Sequence, residues 1–184
     1  MAIVEREDRF RELLLYVAAK CATHPRFGAT KLNKILFYSD FMAYLRLGSP
    51  ITGVEYQKLE HGPAPRLLTP IKRDMIEKRE LAEQPKLLFS GRTQKRLINL
   101  RQPDLSIFEP TQIALVDYVI DRLQHMTADE VSEFSHQEIG WKVAFLGETI
   151  PYATAFLTSR SVRKADRERA QEATARHGHL LPQT

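Results

Sequence analysis

The sequence predicts an α+β fold, predominantly α-helical, in which a central buried helix is surrounded by helices and a small antiparallel β-sheet or hairpin. Three observations predict it. Residues 31–47 are apolar on nearly every side, from Leu32, Ile35 and Leu36 through Phe37, Tyr38 and Phe41 to Leu45 and Leu47, and a helix that is apolar all round belongs in an interior. Segments on both sides of it repeat apolar residues at the helical spacing of three and four. Two stretches, 54–60 and 86–100, carry strand and turn patterns instead.

Residues 5–22 form the first predicted helix, because Phe10, Leu13, Leu14, Val17, Ala18 and Cys21 fall on one stripe while Arg9, Arg11, Glu12 and Lys20 take the wet face. His-Pro-Arg-Phe-Gly at 24–28 ends it. Thr30 is the expected N-cap of the central helix, Gly48 its C′ residue, and Pro50 prevents continuation. Val-Glu-Tyr-Gln-Lys-Leu-Glu at 54–60 alternates as a short strand does, and His-Gly-Pro-Ala-Pro at 61–65 is expected to be an irregular tight turn. A helix follows at about 66–79, with Leu67, Leu68, Ile71, Met75 and Ile76 inward and Pro70 in the first turn. Residues 86–100 predict a hairpin around Gly-Arg-Thr-Gln. Thr111–Gln124 forms the next helix, with a stripe of Ile113, Val116, Val119, Ile120 and Leu123. Thr127 with Glu130 makes a capping box for a helix at 128–134, and Ser135 with Glu138 a second for 138–146, stopped by Gly147 and Pro151. Residues 1–157 are thus expected to form one domain, and 158–184 a polar C-terminal helix or tail rich in Arg, Glu and Ala.

At 184 residues the chain can bury a core without disulfide or metal support. Lys and Arg total 27 against 23 Asp and Glu, a net charge of +4, and the basic residues are mixed with acids rather than gathered on one face. DNA binding is therefore not expected. The helix–loop–helix at 8–47 does not read bases either: a recognition helix offers polar side chains, and this one offers Phe37, Tyr38, Phe41 and Tyr44. An Arg-rich tail leaves salt-sensitive DNA retention as a separate, testable idea. No apolar run is long enough to cross a membrane, the first residues lack a signal-peptide layout, and the single cysteine cannot form an internal disulfide, so the cytoplasm is expected.

Catalytic and cofactor signatures are missing: there is no P-loop, no Gly-Xaa-Gly-Xaa-Xaa-Gly after a strand, no His-Glu-Xaa-Xaa-His and no Cys-Xaa-Xaa-Cys. No metal or cofactor is expected, and the chain is not expected to be an enzyme. His177 and His179 form the one close histidine pair, in the polar tail, where an incidental solvated pair is the simpler reading. His61, held beside Gly62 and Pro63, could be the base of a hydrolase, could lock the loop, or could touch a partner. Asp40 and Lys31 lie on the apolar helix, where a charge needs a partner; Asp40 could bond a backbone N–H or pair with Lys31, Lys34 or Lys58. Trp141, near Phe134 and Phe145, is either a core aromatic or an interface anchor. Cys21, on the first helix's core stripe, is expected to be inert packing.

Three ordered blocks carry a resemblance. Thr-Lys-Leu-Asn-Lys-Ile-Leu-Phe-Tyr-Ser-Asp-Phe (30–41), Tyr-Gln-Lys-Leu-Glu-His-Gly-Pro-Ala-Pro (56–65), and Ser-His-Gln-Glu-Ile-Gly-Trp-Lys-Val (135–143) with Gly-Glu-Thr-Ile-Pro-Tyr (147–152) resemble, in order and spacing, the Panacea, or SocA-like antitoxin, domain. The resemblance covers about residues 8–157. It implies a prokaryotic or phage antitoxin that neutralises a cognate protein toxin, often encoded next door, by direct contact. It also implies an alternative, an adaptor handing its partner to a AAA+ protease, and leaves a homo-oligomer open. Residues on these motifs, and so candidates for partner contact, are Lys31, Asp40, Tyr56, Lys58, His61, Gly62, Pro63, His136 and Trp141. Some relatives carry a DNA-binding region ahead of the domain; here the first domain helix starts near residue 5, so operator binding is not expected.

Overall fold

In the computed structural model, which describes residues 3–87, 91 and 93–157, the chain opens with two helices built from an amphipathic and an apolar stretch, α1 (Ile3–Lys20) and α2 (Ala29–Leu47). α1 buries Phe10, Leu13, Leu14 and Val17, the stripe that the sequence predicts, and Cys21 is buried in the turn just after it. α2 begins earlier than expected. Its N-cap is Gly28, in extended conformation, whose carbonyl accepts from the Leu32 N–H at 3.0 Å, so Thr30 lies inside the first turn rather than capping it. Gly48 ends the helix with φ 79°, a left-handed conformation that glycine adopts without a Cβ clash. Burial is nearly continuous from Lys31 to Ala43, but Leu45 and Leu47 are 46% and 44% exposed, so the interior part of α2 stops short of its last turn.

β1 (Tyr56–Leu59) and β2 (Gly62–Pro65) form an antiparallel hairpin, and β5 (Thr149–Ile150) pairs on the other side of β1, giving the order β2-β1-β5. The expected irregular turn at 61–65 is therefore mostly a strand, and only Glu60 and His61 turn. Its prolines are tolerated because β2 is an edge strand, where no second ladder asks for their missing N–H. α3 (Leu68–Glu77) follows, with Pro70 in its first turn as expected. The second hairpin pairs β3 (Leu81–Leu87) with β4 (Thr93–Asn99). It starts five residues before the predicted 86, because Leu81 is buried at the base of the hairpin and pairs with Asn99.

A short 3-10 turn at Leu105–Ile107 leads to α4 (Pro110–Leu123), whose entry is fixed by Gln112 Oε1 accepting from the Glu109 N–H at 3.1 Å. α5 (Ala128–His136) carries the predicted Thr127–Glu130 capping box. The second predicted box does not form. Ser135 Oγ donates instead to the Ser132 carbonyl at 2.7 Å, and α6 is only Ile139–Val143 because Ala144 turns extended. A second 3-10 turn spans Tyr152–Phe156. The expected tail, 158–184, lies outside the described residues.

α2 is the beam on which the rest rests: α1, α4, α5 and β2 all pack on it, and the buried residues form one cluster from Phe10 to Ile150. A fully buried Leu or Phe contributes roughly 1.5–3 kcal/mol relative to an exposed one, so this cluster dominates the favourable side of folding. Arg9 ties α1 to the rest, donating to the carbonyl oxygens of Ile51 at 2.6 Å and of Ile107, and to Gln112 Oε1 at 2.8 Å.

Candidate partner-binding surface

The motif residues separate into a buried foundation and an outer face. Asp40 is fully buried, and its carboxylate accepts from Thr52 N–H (2.7 Å), Thr52 Oγ1 (2.5 Å), Tyr56 Oη (2.8 Å) and Tyr152 Oη (3.4 Å). Burial raises its pKa, and the Thr52 and Tyr56 hydrogen bonds pull it back. Of the partners the sequence offers, the backbone N–H is realised and the lysines are not. Lys31 turns to the other side of α2 and donates to the carbonyls of Gln124 (3.0 Å) and Met126 (2.5 Å), and Lys34 donates to that of Pro63 at 3.1 Å. Desolvation lowers the pKa of both amines, that of Lys34 to about 8. The Tyr56 hydroxyl also lies 2.9 Å from the Leu36 carbonyl oxygen, so its one proton serves either acceptor, and the ring packs edge-on against Phe37 and Phe41, pinning β1 to α2.

Above this base lies the outer face. Lys58, on β1, donates to the Ala144 carbonyl at 2.9 Å, and its Nζ lies 4.3 Å from the centre of the Trp141 ring. The same indole stacks on His136 at 4.0 Å and 14°, and its N–H donates to the Leu59 carbonyl at 3.1 Å. The β1–β2 turn is fastened from below, because Ser132 Oγ donates to the His61 carbonyl at 3.0 Å. Gly62 has φ 96°, and a Cβ there would stand 2.2 Å from Ser135 Oγ and 2.7 Å from Lys34 Nζ. Only glycine fits that point, where strand, α5 and α2 converge. The structure thus brings Lys58, His61, His136 and Trp141 together on the outer face, with Gly62 and Pro63 buried just behind the turn, and leaves Asp40 and Tyr56 in the core and Lys31 buried on the other side of α2.

This arrangement offers little chemistry. Ser132 Oγ and His136 Nε2 stand 3.4 Å apart and Glu133 Oε1 is 3.8 Å from His136 Nδ1, a superficial likeness to a serine–histidine–acid relay. The serine proton, however, is directed at the His61 carbonyl, and the imidazole is stacked on Trp141 rather than facing a cavity. Among the described residues no group of three or more His, Cys, Asp or Glu could hold a metal ion, and no helix is long and apolar enough to cross a membrane.

What the face offers is apolar surface. Leu59 (39%), Val143 (66%), Phe145 (80%) and Leu146 (65%) are exposed around the turn, at the end of α6 and in the loop before β5. That loop is rigidly held: Gly147 N–H donates to the Lys58 carbonyl at 2.8 Å, Lys58 N–H to the Glu148 carbonyl, and the Phe145 N–H to Glu148 Oε2 at 2.7 Å. Beside it opens a cleft of about 490 Å³ between the start of α2 and the turn, lined by Ala29, Thr30, Lys34, Glu60, His61 and Leu146 among others.

The family profile described as "Antitoxin SocA-like, Panacea domain" matches residues 32–142, more than half of the chain. The chain belongs to that family. The Panacea match takes in α2 from Leu32 onward, both hairpins, α3, α4, α5 and α6 up to Lys142, and so most of the site; Val143, the loop with Phe145 and Leu146, and the Gly-Glu-Thr-Ile-Pro-Tyr segment lie just beyond it. No curated protein and no solved structure gives a significant match. Of the site residues, the sequence reading missed Leu59, Val143, Leu146 and Lys34 as surface or cleft components. The signal for two of them, Val143 and Leu146, was present: Val143 to Leu146 are four consecutive apolar residues before a glycine, too many for the predicted helix to bury on one side.

Proposed function

We propose that this Panacea-family chain is an antitoxin that neutralises a protein toxin by direct binding, and that it does so with the face around the β1–β2 turn. The observation that carries the reading is the apolar surface of Leu59, Val143, Phe145 and Leu146 standing out from backbone that is fastened at both ends. Exposed apolar side chains on immobilised backbone lose little entropy when covered, and large apolar residues on such a surface mark protein contacts. A stable complex needs about 800 Å² per partner, which the turn, α6 and the following loop can contribute to without any reactive group. The stacked Lys58–Trp141–His136 column gives that surface a stiff centre.

The test is co-expression with the product of the adjacent gene. That product is expected to arrest growth alone and to be harmless beside the wild-type chain. Phe145→Asp with Leu146→Asp is expected to abolish rescue and co-purification while leaving the thermal transition within about 2 °C of wild type, as surface changes do. A neighbour that is harmless alone, or rescue that survives the double change, sinks the assignment of this face.

A further inference from the structure

Lys34 is an unusual place for a lysine. It is 1% exposed on α2, and its ammonium has one acceptor among the described residues, the Pro63 carbonyl at 3.1 Å. Among the described residues no carboxylate pairs with it, and desolvation by burial lowers its pKa. A buried charge without a counter-charge destabilises the fold that holds it. It is not alone there. The residues beside it begin α2, a helix of 19 residues whose N-cap is Gly28, with no side-chain cap and no acidic residue in its first turn. The first N–H groups of such a helix lack intrahelical acceptors and carry partial positive charge. Asn33 and Lys34 line the same cleft as Ala29 and Thr30, and its other wall is the β1–β2 turn with Leu59 and Leu146.

We propose that the cleft between the amino end of α2 and the β1–β2 turn is a carboxylate-binding site, and that it receives an acidic side chain, flanked by apolar residues, from the protein this chain binds. The inference rests on the binding reading above and names the chemistry of the partner's contact. An incoming carboxylate supplies the counter-charge that Lys34 lacks and acceptors for the open N–H groups of α2. Leu59 and Leu146 give neighbouring apolar side chains a place to lie. A single negative charge suits the site better than a phosphate. Among the described residues lining the cleft there is no arginine and one acidic residue, Glu60, which is exposed and repels a dianion more strongly than a monoanion.

The test titrates the isotopically labelled full chain with the blocked peptide acetyl-Leu-Glu-Leu-amide. Parallel arms use acetyl-Leu-Gln-Leu-amide, acetyl-Leu-Gln-Leu with a free carboxyl terminus, and inorganic phosphate at equal ionic strength. The readouts are the Lys34 Nζ and Cε resonances and the amides of Ala29 and Thr30. The glutamate peptide is expected to move these saturably and to bind at least tenfold more tightly than each other probe. Lys34→Met is expected to lose that binding at least tenfold with the remaining spectrum intact, and Glu60→Gln to strengthen it several-fold. Equal binding of the glutamate and glutamine peptides, tighter binding of phosphate or of the free terminus, or no response at these resonances overturns the proposal. So does a folded Lys34→Met that binds as wild type does; if that variant loses its fold, the peptide arms on the wild-type chain decide alone. A negative result here, with rescue still lost on Phe145→Asp and Leu146→Asp, overturns the carboxylate site and leaves the binding face standing.

Discussion

Two buried charges on one helix are handled in opposite ways. Asp40 is surrounded by donors, so removing it leaves the Thr52 N–H and the Thr52 hydroxyl without their acceptor in the core, while the Tyr56 hydroxyl keeps the Leu36 carbonyl. Asp40→Ala is expected to cost roughly 3 kcal/mol or more, seen as a lower urea midpoint with an unchanged slope. Lys34, with a single carbonyl, is expected to behave in reverse. Its pKa in the fold is about 8, below the ordinary 10.5. Below pH 8 both folded and unfolded chains hold the proton, and the fold bears the full cost of the buried charge. Between pH 8 and 10.5 the unfolded chain still holds the proton while the folded one has released it, so stability rises with pH across that window. Lys34→Met is therefore expected to be more stable than wild type at pH 7, by up to about 3 kcal/mol less about 1 for the abandoned Pro63 carbonyl, with the advantage shrinking from pH 8 to 10.5. Urea unfolding at several pH values measures it; a Lys34→Met protein less stable than wild type at pH 7 contradicts the argument. Asp40 was legible in the sequence as a charge needing a partner, but the partner was not, because it comes from a loop twelve residues on that folds back over the helix.

At the scale of elements, local rules succeeded where the deciding contacts are local. Thr127 and Glu130 lie three residues apart and cap α5 as their spacing predicts; Thr127→Ala is expected to cost about 1 kcal/mol, read from the thermal transition. The Ser135–Glu138 pair has the same spacing and fails, because Ser135 is buried under the turn at Gly62 and spends its hydroxyl on the Ser132 carbonyl. β2 was hidden for a related reason: two prolines in four residues argue against a strand, yet an edge strand hydrogen-bonds on one side only and accepts them. β5 is two residues long and exists through its pairing with Tyr56 and Gln57, a contact some ninety residues away that no local pattern encodes. Gly62→Ala is expected to loosen this junction, since the new Cβ meets Ser135 and Lys34 at a left-handed φ; faster amide exchange across β1 and β2 is the measurement.

For the molecule as a whole, the apolar pattern of residues 31–47 foretold the architecture, because a helix buried on every side must be central whatever surrounds it. Which surface would face outward was not foretold: whether Phe145 covers the core or stands in solvent depends on where α6 stops. We propose that the folding unit ends near Leu157. A chain ending there is expected to unfold within about 2 °C of the full-length protein, since the described core runs from Phe10 to Ile150. One packing detail also has a practical use. The only cysteine in the sequence, Cys21, is 1% exposed, and burial pushes its thiol up to about 12, so at neutral pH almost no thiolate forms and what little does is shielded from reagents. A cysteine introduced at Val143 would be the sole site to take a maleimide dye, giving a reporter on the proposed contact face without first stripping the native thiol from the core.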